Sequence, residues 1–358
     1  MKKSLIALAV LGSFAGAASA ANTVTLWGKV DTAYEAGSTK TTTGGVSGGV
    51  ALPATSTSST NKVRMSNADE SRIGIKVSED LGNGLSAFVR LEGAMTSDVG
   101  SSVGFGRETV IGLKGNFGSV YFGRSVNPVD KITIGVGNRA GDMGATIKGG
   151  DRWSNSAFYA YENNGLSAYA AVSTKGGAIG NFENGAGETG AGQKTAYGVS
   201  LKYAGEINNK MGYSVAAGYS RNAVAGLKSE WLVNGTFSYS PVTTGLSYSQ
   251  HTEYTVPGNS DKGYKYRAFV AADVTSNDNV YLQYTGEKDT YKVAGVTTFT
   301  KKTSTWGLGY AHSLSKRTAV FADVGRSTVK DKWYPGGGDY ITAKTRTTSY
   351  NIGMRHSF

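Results

Sequence analysis

Hydrolytic chemistry needs a base within reach of a nucleophile or a carboxylate, and one stretch of this chain offers such a set: Ser249, His251 and Glu253. Their alternate spacing puts all three on one face of a strand, so one expectation is a barrel hydrolase working through His251 and Ser249. Strands rich in Ser and Thr produce the same spacing with no catalytic role. The other histidines are His312, at a strand end beside a turn, and His356, beside the C-terminus. There is no cysteine, and no spacing of His and carboxylates suggests a catalytic metal, so thiol and metal chemistry have no candidates. Gly135 to Gly141 superficially suggests a dinucleotide loop, but it misses the G-x-G-x-x-G spacing and lacks Rossmann flanks. No cofactor is expected.

A second kind of chemistry is electrostatic selection, and for that the arginines matter. Arg72, Gly74 and Lys76 alternate with Ile73, Ile75 and Val77; Ser86, Phe88, Arg90 and Glu92 alternate with Leu85, Ala87, Val89 and Leu91. At the end of the chain Asn351, Gly353, Arg355 and Ser357 alternate with Tyr350, Ile352 and Met354. A Lys or Arg facing lipid at mid-depth costs roughly 2–4 kcal/mol, so the charged faces must look inward. A small soluble barrel fills its interior with apolar side chains instead. Arg72 and Arg90 therefore fall near the middle of adjacent strands on lumen faces, where a shared basic ladder is geometrically reasonable; the plainer alternative is a water-facing or ion-paired role, for Arg90 with Glu92 on its own strand. Arg124 is ambiguous, because facing it inward also turns Phe122 inward.

The elements that must position these residues begin after a processing segment. Lys2 and Lys3, the apolar run from Leu5 and the Ala18-Ser19-Ala20 cleavage site make residues 1–20 a signal peptide. Its loss lowers the formal charge of +11 by two. Past residue 20 no apolar run is long enough for a spanning helix, so a membrane form must be a closed barrel. Gly at 51 residues and Tyr at 21 fit turns and aromatic girdles, where disorder would explain the first and not the second. Residues 21–358 read as one all-β domain, an antiparallel transmembrane barrel of about sixteen strands. Short connections such as Glu79 to Gly84, Gly115 to Gly118 and Glu162 to Gly165 alternate with long ones. The long ones include a Gly/Ser/Thr-rich loop from residue 37 to about Asn61, the segment Asn127–Asp151, and the connections over residues 289–302 and 330–343. The basic charges are dispersed, which argues against a nucleic-acid partner, while a net positive lumen would prefer anions.

Several pieces resemble the general porins of Gram-negative bacteria, most closely the β-proteobacterial and neisserial branch. They are Val24 to Asp31, Ser71 to Lys76 before Glu79 to Leu85, and Gly112 to Gly118. Tyr121 to Arg124, His312 to Thr318 and Gly353 to the terminal Phe358 continue the series, so it covers essentially the mature chain. The resemblance implies a homotrimer of sixteen-stranded barrels in the outer membrane, passing small hydrophilic solutes and ions by diffusion. It implies a third loop, here 127–151, folded into the lumen to narrow it. It implies a basic wall at that constriction facing acidic residues of the loop. The motifs carry this over to Arg72, Arg107 and Arg152, with Arg90 and Arg124 as further wall candidates and Asp130, Asp142 and Asp151 as the acidic candidates of the loop. The chain has Arg107-Glu108 where relatives carry paired basic residues, and lacks a Pro-Glu-Phe element in the loop. Outer-membrane lipids and lipopolysaccharide, the assembly machinery (reading Phe358 as its C-terminal signal) and an adhesin or receptor role of the loops complete the expected partners.

Overall fold

A strand that is apolar on one side and polar on the other makes a sheet with two unlike faces, and closing the sheet gives each face its own solvent. The computed structural model describes residues 23–66 (main chain alone for 61–66), 71–100, 104–136, 147, 152–173, 195–223 and 226–358. The signal segment 1–20, Asp142 and Asp151 lie outside the described residues. The strands are β1 (Thr23–Ser47), β2 (Val50–Ser66), β3 (Arg72–Gly82), β4 (Leu85–Ala94), β5 (Gly104–Gly115) and β6 (Gly118–Val126). Next come β7 (Arg152–Asn163), β8 (Leu166–Ser173), β9 (Ala196–Asn208), β10 (Met211–Arg221), β11 (Leu227–Tyr239) and β12 (Val242–Glu253). The last five are β13 (Asn259–Asp273), β14 (Asp278–Val293), β15 (Val296–Ser313), β16 (Thr318–Gly336) and β17 (Asp339–Ser357).

From β3 onward each strand pairs antiparallel with the next, and β1 returns to β17 from Lys29↔Ser357 to Val46↔Tyr340. β2 and β3 share one place in the ring. β3 pairs with the first part of β1, Thr23↔Ser78 to Lys29↔Arg72, and β2 with the later part, Ala33↔Ser66 to Ser47↔Val50. The ring therefore has sixteen strand positions. At the seam Gly28 and Phe358 exchange main-chain hydrogen bonds of 3.1 and 3.0 Å.

The two faces are inverted relative to a water-soluble protein. On β12 Leu246 is 69% exposed on the outside, while its neighbour Ser247, turned inward, is 5% exposed. Aromatic pairs ring the outside at two heights. Tyr197–Tyr219, Trp231–Tyr248 and Tyr266–Tyr284 lie toward one end, with centroids 6.3, 5.4 and 6.0 Å apart, and Tyr203–Tyr213 toward the other at 6.1 Å. Tyr197 and Tyr203 stand on one strand, about 20 Å apart along it, which suits the interfaces of a thin apolar band.

Three expected loops are strands. The Gly/Ser/Thr-rich segment 37–61 is the upper part of the β1–β2 hairpin, and the regions 289–302 and 330–343 extend β14–β15 and β16–β17 to tight turns. The physical reason is that these stretches are wet on both faces, so they lack the apolar alternation that marks a strand. Thr, a β-branched residue suited to the pleat, builds them instead. Thr39–Thr347, Thr41–Thr345 and Thr43–Thr55 bond hydroxyl to hydroxyl across strands at 3.2, 3.0 and 2.6 Å. The barrel is thus taller at this end than at the end holding the short turns and the chain terminus.

Gly353 tests the seam. A Cβ there would lie 2.5 Å from the Thr32 carbonyl oxygen and 2.7 Å from both Ala33 Cβ and Phe321 Cζ. Gly353→Val should cost about 1–3 kcal/mol through overpacking. The check is the urea midpoint at which the compact, heat-sensitive gel band disappears; an unchanged midpoint would mean that the seam is looser than drawn.

Candidate functional site

The chain leaves β6 and turns into the lumen at once. Asn127 accepts from the Val129 amide at 2.9 Å with its side chain and from the Lys131 amide at 3.0 Å with its carbonyl. A short 3-10 turn, Asp130–Ile132, follows, and Thr133 Oγ1 donates back to the Asp130 carbonyl at 2.9 Å. Val129, Ile132 and Ile147 are buried against Ala216 and Leu232 of the wall, with Tyr169 beside them. Gly218 permits the approach: a Cβ there would stand 3.1 Å from Ile132 Cδ1 and 3.3 Å from Val129 Cγ2.

Polar contacts to the wall are made by wall donors and loop carbonyls. Ser200 Oγ donates to Pro128 at 2.5 Å, Asn234 Nδ2 to Ile132 at 2.7 Å, Arg267 Nη1 to Ile134 at 3.1 Å and Lys265 Nζ to Ile147 at 3.3 Å. These donors come from β9, β11 and β13, so the described part of segment 127–151 lies across the wall halfway round the ring from β1 and β3. Of the expected acidic residues, Asp130 opens the 3-10 turn. None of the four donors was singled out from sequence. Their only signal is inward parity on strands whose partner, the loop, cannot be placed from sequence.

Arg72 and Arg90 face the lumen, as the alternation requires, but they do not form a ladder with each other. Glu92 Oε1 lies 2.5 Å from Arg107 Nε and 3.5 Å from Arg72 Nη1, so one carboxylate on β4 joins arginines from β3 and β5. Arg90 reaches Glu108 of β5 at 3.0 Å rather than Glu92, and lies over the rings of Phe88 and Tyr121 at 5.1 and 4.9 Å. Glu108 also accepts from Ser125 Oγ at 2.6 Å. Farther round, Arg355 Nε contacts the buried Asp31 carboxylate at 2.6 Å.

Arg107 belongs to β5 itself, beside the register shift at Glu92/Ala94. Arg124 resolves the parity question. Tyr121 and Ser125 are the inward residues of β6, and Phe122 is outward and 55% exposed. A register shift at Gly123/Ser125 follows, and Arg124 donates to the Gly106 carbonyl at 2.5 Å and to Ser154 Oγ at 2.7 Å. Arg152 opens β7 opposite Val126. His251 is buried, its Nε2 lying 3.2 Å from Asp289 Oδ1 on β14, in register with Glu230 of β11. What this arrangement can do is impose charge and width on whatever passes between the arginine-bearing wall and the loop.

A family model described as Gram-negative porin matches residues 7–332. Outer membrane porin protein 32 of Delftia acidovorans is 30% identical over 388 aligned residues, covering 100% of both chains. An anion-selective porin from Comamonas acidovorans is similar in structure, with a TM-score of 0.63 at 24% identity over 94% of this chain and 100% of that one. The trimer form of OmpT from Vibrio cholerae gives a TM-score of 0.61 at 14% identity, over 94% and 100%. The last two likenesses are of fold.

The wall donors should control the loop. A hydrogen bond from a charged donor is worth about 1.5–3 kcal/mol, and about 1.4 kcal/mol is a factor of ten in an opening equilibrium. Paired Asn234→Ala and Arg267→Leu changes should speed deuterium exchange at the Lys131 and Thr133 amides by about tenfold or more. Strand amides of β9–β13 should keep their rates, and equal acceleration there would point to general loosening.

Proposed function

The chain belongs to the family of Gram-negative porins, and from that premise we propose that passage is filtered between segment 127–151 and the arginines of β3–β5, with a preference for anions. The protein is an outer-membrane channel and not an enzyme. What is passed are small hydrophilic solutes and ions, and no bond is made or broken. The observation that carries the filter is the set of loop carbonyls held by Ser200, Asn234, Arg267 and Lys265 inside the barrel. A loop bound that way takes up cross-section that water and solutes would otherwise use.

The preference for anions rests on local charge. Arg72, Arg90 and Arg107 share two carboxylates, Glu92 and Glu108. One positive charge is left over at the cluster, with Lys76 above the Trp27 ring at 5.1 Å beside it. Basic rings favour anions, and the similar porin from Comamonas acidovorans is anion-selective. Arg124 and Arg152 serve in this reading at the edge of the cluster, and Asp130 on the loop side. A signal peptide over residues 1–20, a trimeric assembly like the OmpT form, recognition of Phe358 during assembly and contact with lipopolysaccharide complete the proposal.

Reconstitution in planar bilayers under a salt gradient tests it. Wild type should conduct in stable steps with a reversal potential favouring anions. Arg72→Ser should move the anion-to-cation ratio down and Glu92→Gln should move it up, each by about twofold, a change of about 0.4 kcal/mol. Unchanged selectivity in both variants would remove the cluster from the filter, and a wild-type preference for cations would end the anion reading.

A further inference from the structure

Outside the barrel, above the aromatic row at its taller end, the register brings four lysines into direct opposition on successive strands. Lys288 of β14 pairs with Lys302 of β15, Lys302 with Lys330 of β16, and Lys330 with Lys344 of β17. Parity puts all four outward. Lys288 shares a face with Leu282 and Tyr284, Lys302 with Trp306 and Leu308, and Lys344 with Tyr350 and Ile352, all exposed apolar or aromatic residues of the membrane band. Arg326 and Arg346 stand on the same face one or two pleats nearer the band.

Side chains opposed across antiparallel strands have their Cβ atoms about 4.5–5.5 Å apart, and like charges there destabilise the pair. The inner face of the same strands avoids this. In the next residue row Asp289 pairs with Lys301, and Lys301 with Asp331, so charges alternate in sign. The outer row has no such alternation.

We propose that this ladder is a binding site for the phosphate groups of an anionic lipid headgroup in the outer leaflet. The height is right: Lys288 lies four residues beyond Tyr284, and Lys302 four residues before Trp306, about 13 Å along the strands. Aromatic girdles mark the level where hydrocarbon gives way to headgroups, so the ammonium groups stand in the headgroup layer. The span is right as well. Three strand gaps make a strip about 14 Å long, wider than one phosphate, which suits a headgroup carrying more than one, as the lipid A part of lipopolysaccharide does. The adjoining outer groove, about 490 Å³, is walled by Lys288, Lys302, Lys330, Lys332, Lys344 and Tyr334. The site depends on the outer-membrane reading and takes no part in the filter, since its side chains point away from the lumen.

Native mass spectrometry of the purified protein with diphosphorylated lipid A, and with the same lipid stripped of phosphate, tests the proposal. Wild type should retain the phosphorylated lipid about tenfold or more better than the stripped one. The combined variant Lys288→Thr, Lys302→Thr, Lys330→Thr, Lys344→Thr should lose that difference, and four Lys→Arg changes should keep it. Equal retention of both lipids by wild type, or full retention by the threonine variant, would overturn the site. Displacement of the lipid by millimolar inorganic phosphate would make it a site for free anions and overturn the lipid reading. If the fourfold threonine variant gives no compact gel band, the pair Lys302→Thr, Lys330→Thr serves in its place, with a partial loss expected. Conductance of the same samples separates the two readings: a conducting wild type that retains no phosphorylated lipid fails here alone, while a non-conducting one fails as a channel.

Discussion

Hydrocarbon offers no partner to a main-chain amide or carbonyl, so a sheet that spans a membrane must end where it began. In this chain that demand falls on β1. It must satisfy β17 along one edge while serving β3 and then β2 along the other. The alternation of side chains, the inward polar face and the outward apolar band can only be maintained once this closure exists. An open edge would leave a row of unpaired donors and acceptors in lipid, at several kcal/mol for each group.

Closure also decides how the lumen can be narrowed. Inside the closed ring the main-chain groups of the described strands are taken up by their neighbours, so segment 127–151 has to be held by side chains. The structure uses inward donors on β9, β11 and β13 against loop carbonyls, together with a small apolar contact at Val129, Ile132 and Leu232. The opposite side of the lumen follows a different rule. Its arginines have carboxylates from adjacent strands as partners, because a buried or half-buried charge needs a counter-charge. The charge a solute meets is therefore the surplus left by Arg72, Arg90 and Arg107 over Glu92 and Glu108.

Much of this was legible in the alternation itself. Arg72, Gly74 and Lys76 could be turned inward from sequence because Ile73, Ile75 and Val77 have no other place to go, and the Gly-Asn-Gly and Asn-Asn-Gly turns mark strand ends by their backbone requirements. Legibility failed where alternation carried no sign. The Thr-rich upper parts of β1, β2, β14, β15, β16 and β17 are wet on both sides and so read as loops. It failed again at Arg124, where a register shift beside Gly123 breaks the parity on which the inference rested. Pairing partners failed for a third reason. Arg90 and Glu92 are neighbours in sequence on one face, yet each finds its counter-charge on β5 or β3, because strands about 4.8 Å apart bring charges closer than residues two apart along a strand.

The same geometry explains why net charge was a poor guide to the lumen. A formal charge of +11 says nothing about faces. On β14 to β17, rows one residue apart carry Asp289, Lys301 and Asp331 inward and Lys288, Lys302, Lys330 and Lys344 outward. A shift of one residue in the alternation would exchange them, giving a strongly basic vestibule and a nearly neutral outer rim. The register of the strands, fixed by the apolar band farther down, thus determines which solvent each charge serves. Much of the basic excess on these strands faces the leaflet, and selectivity has to be sought in the few residues whose parity and pairing leave charge inside.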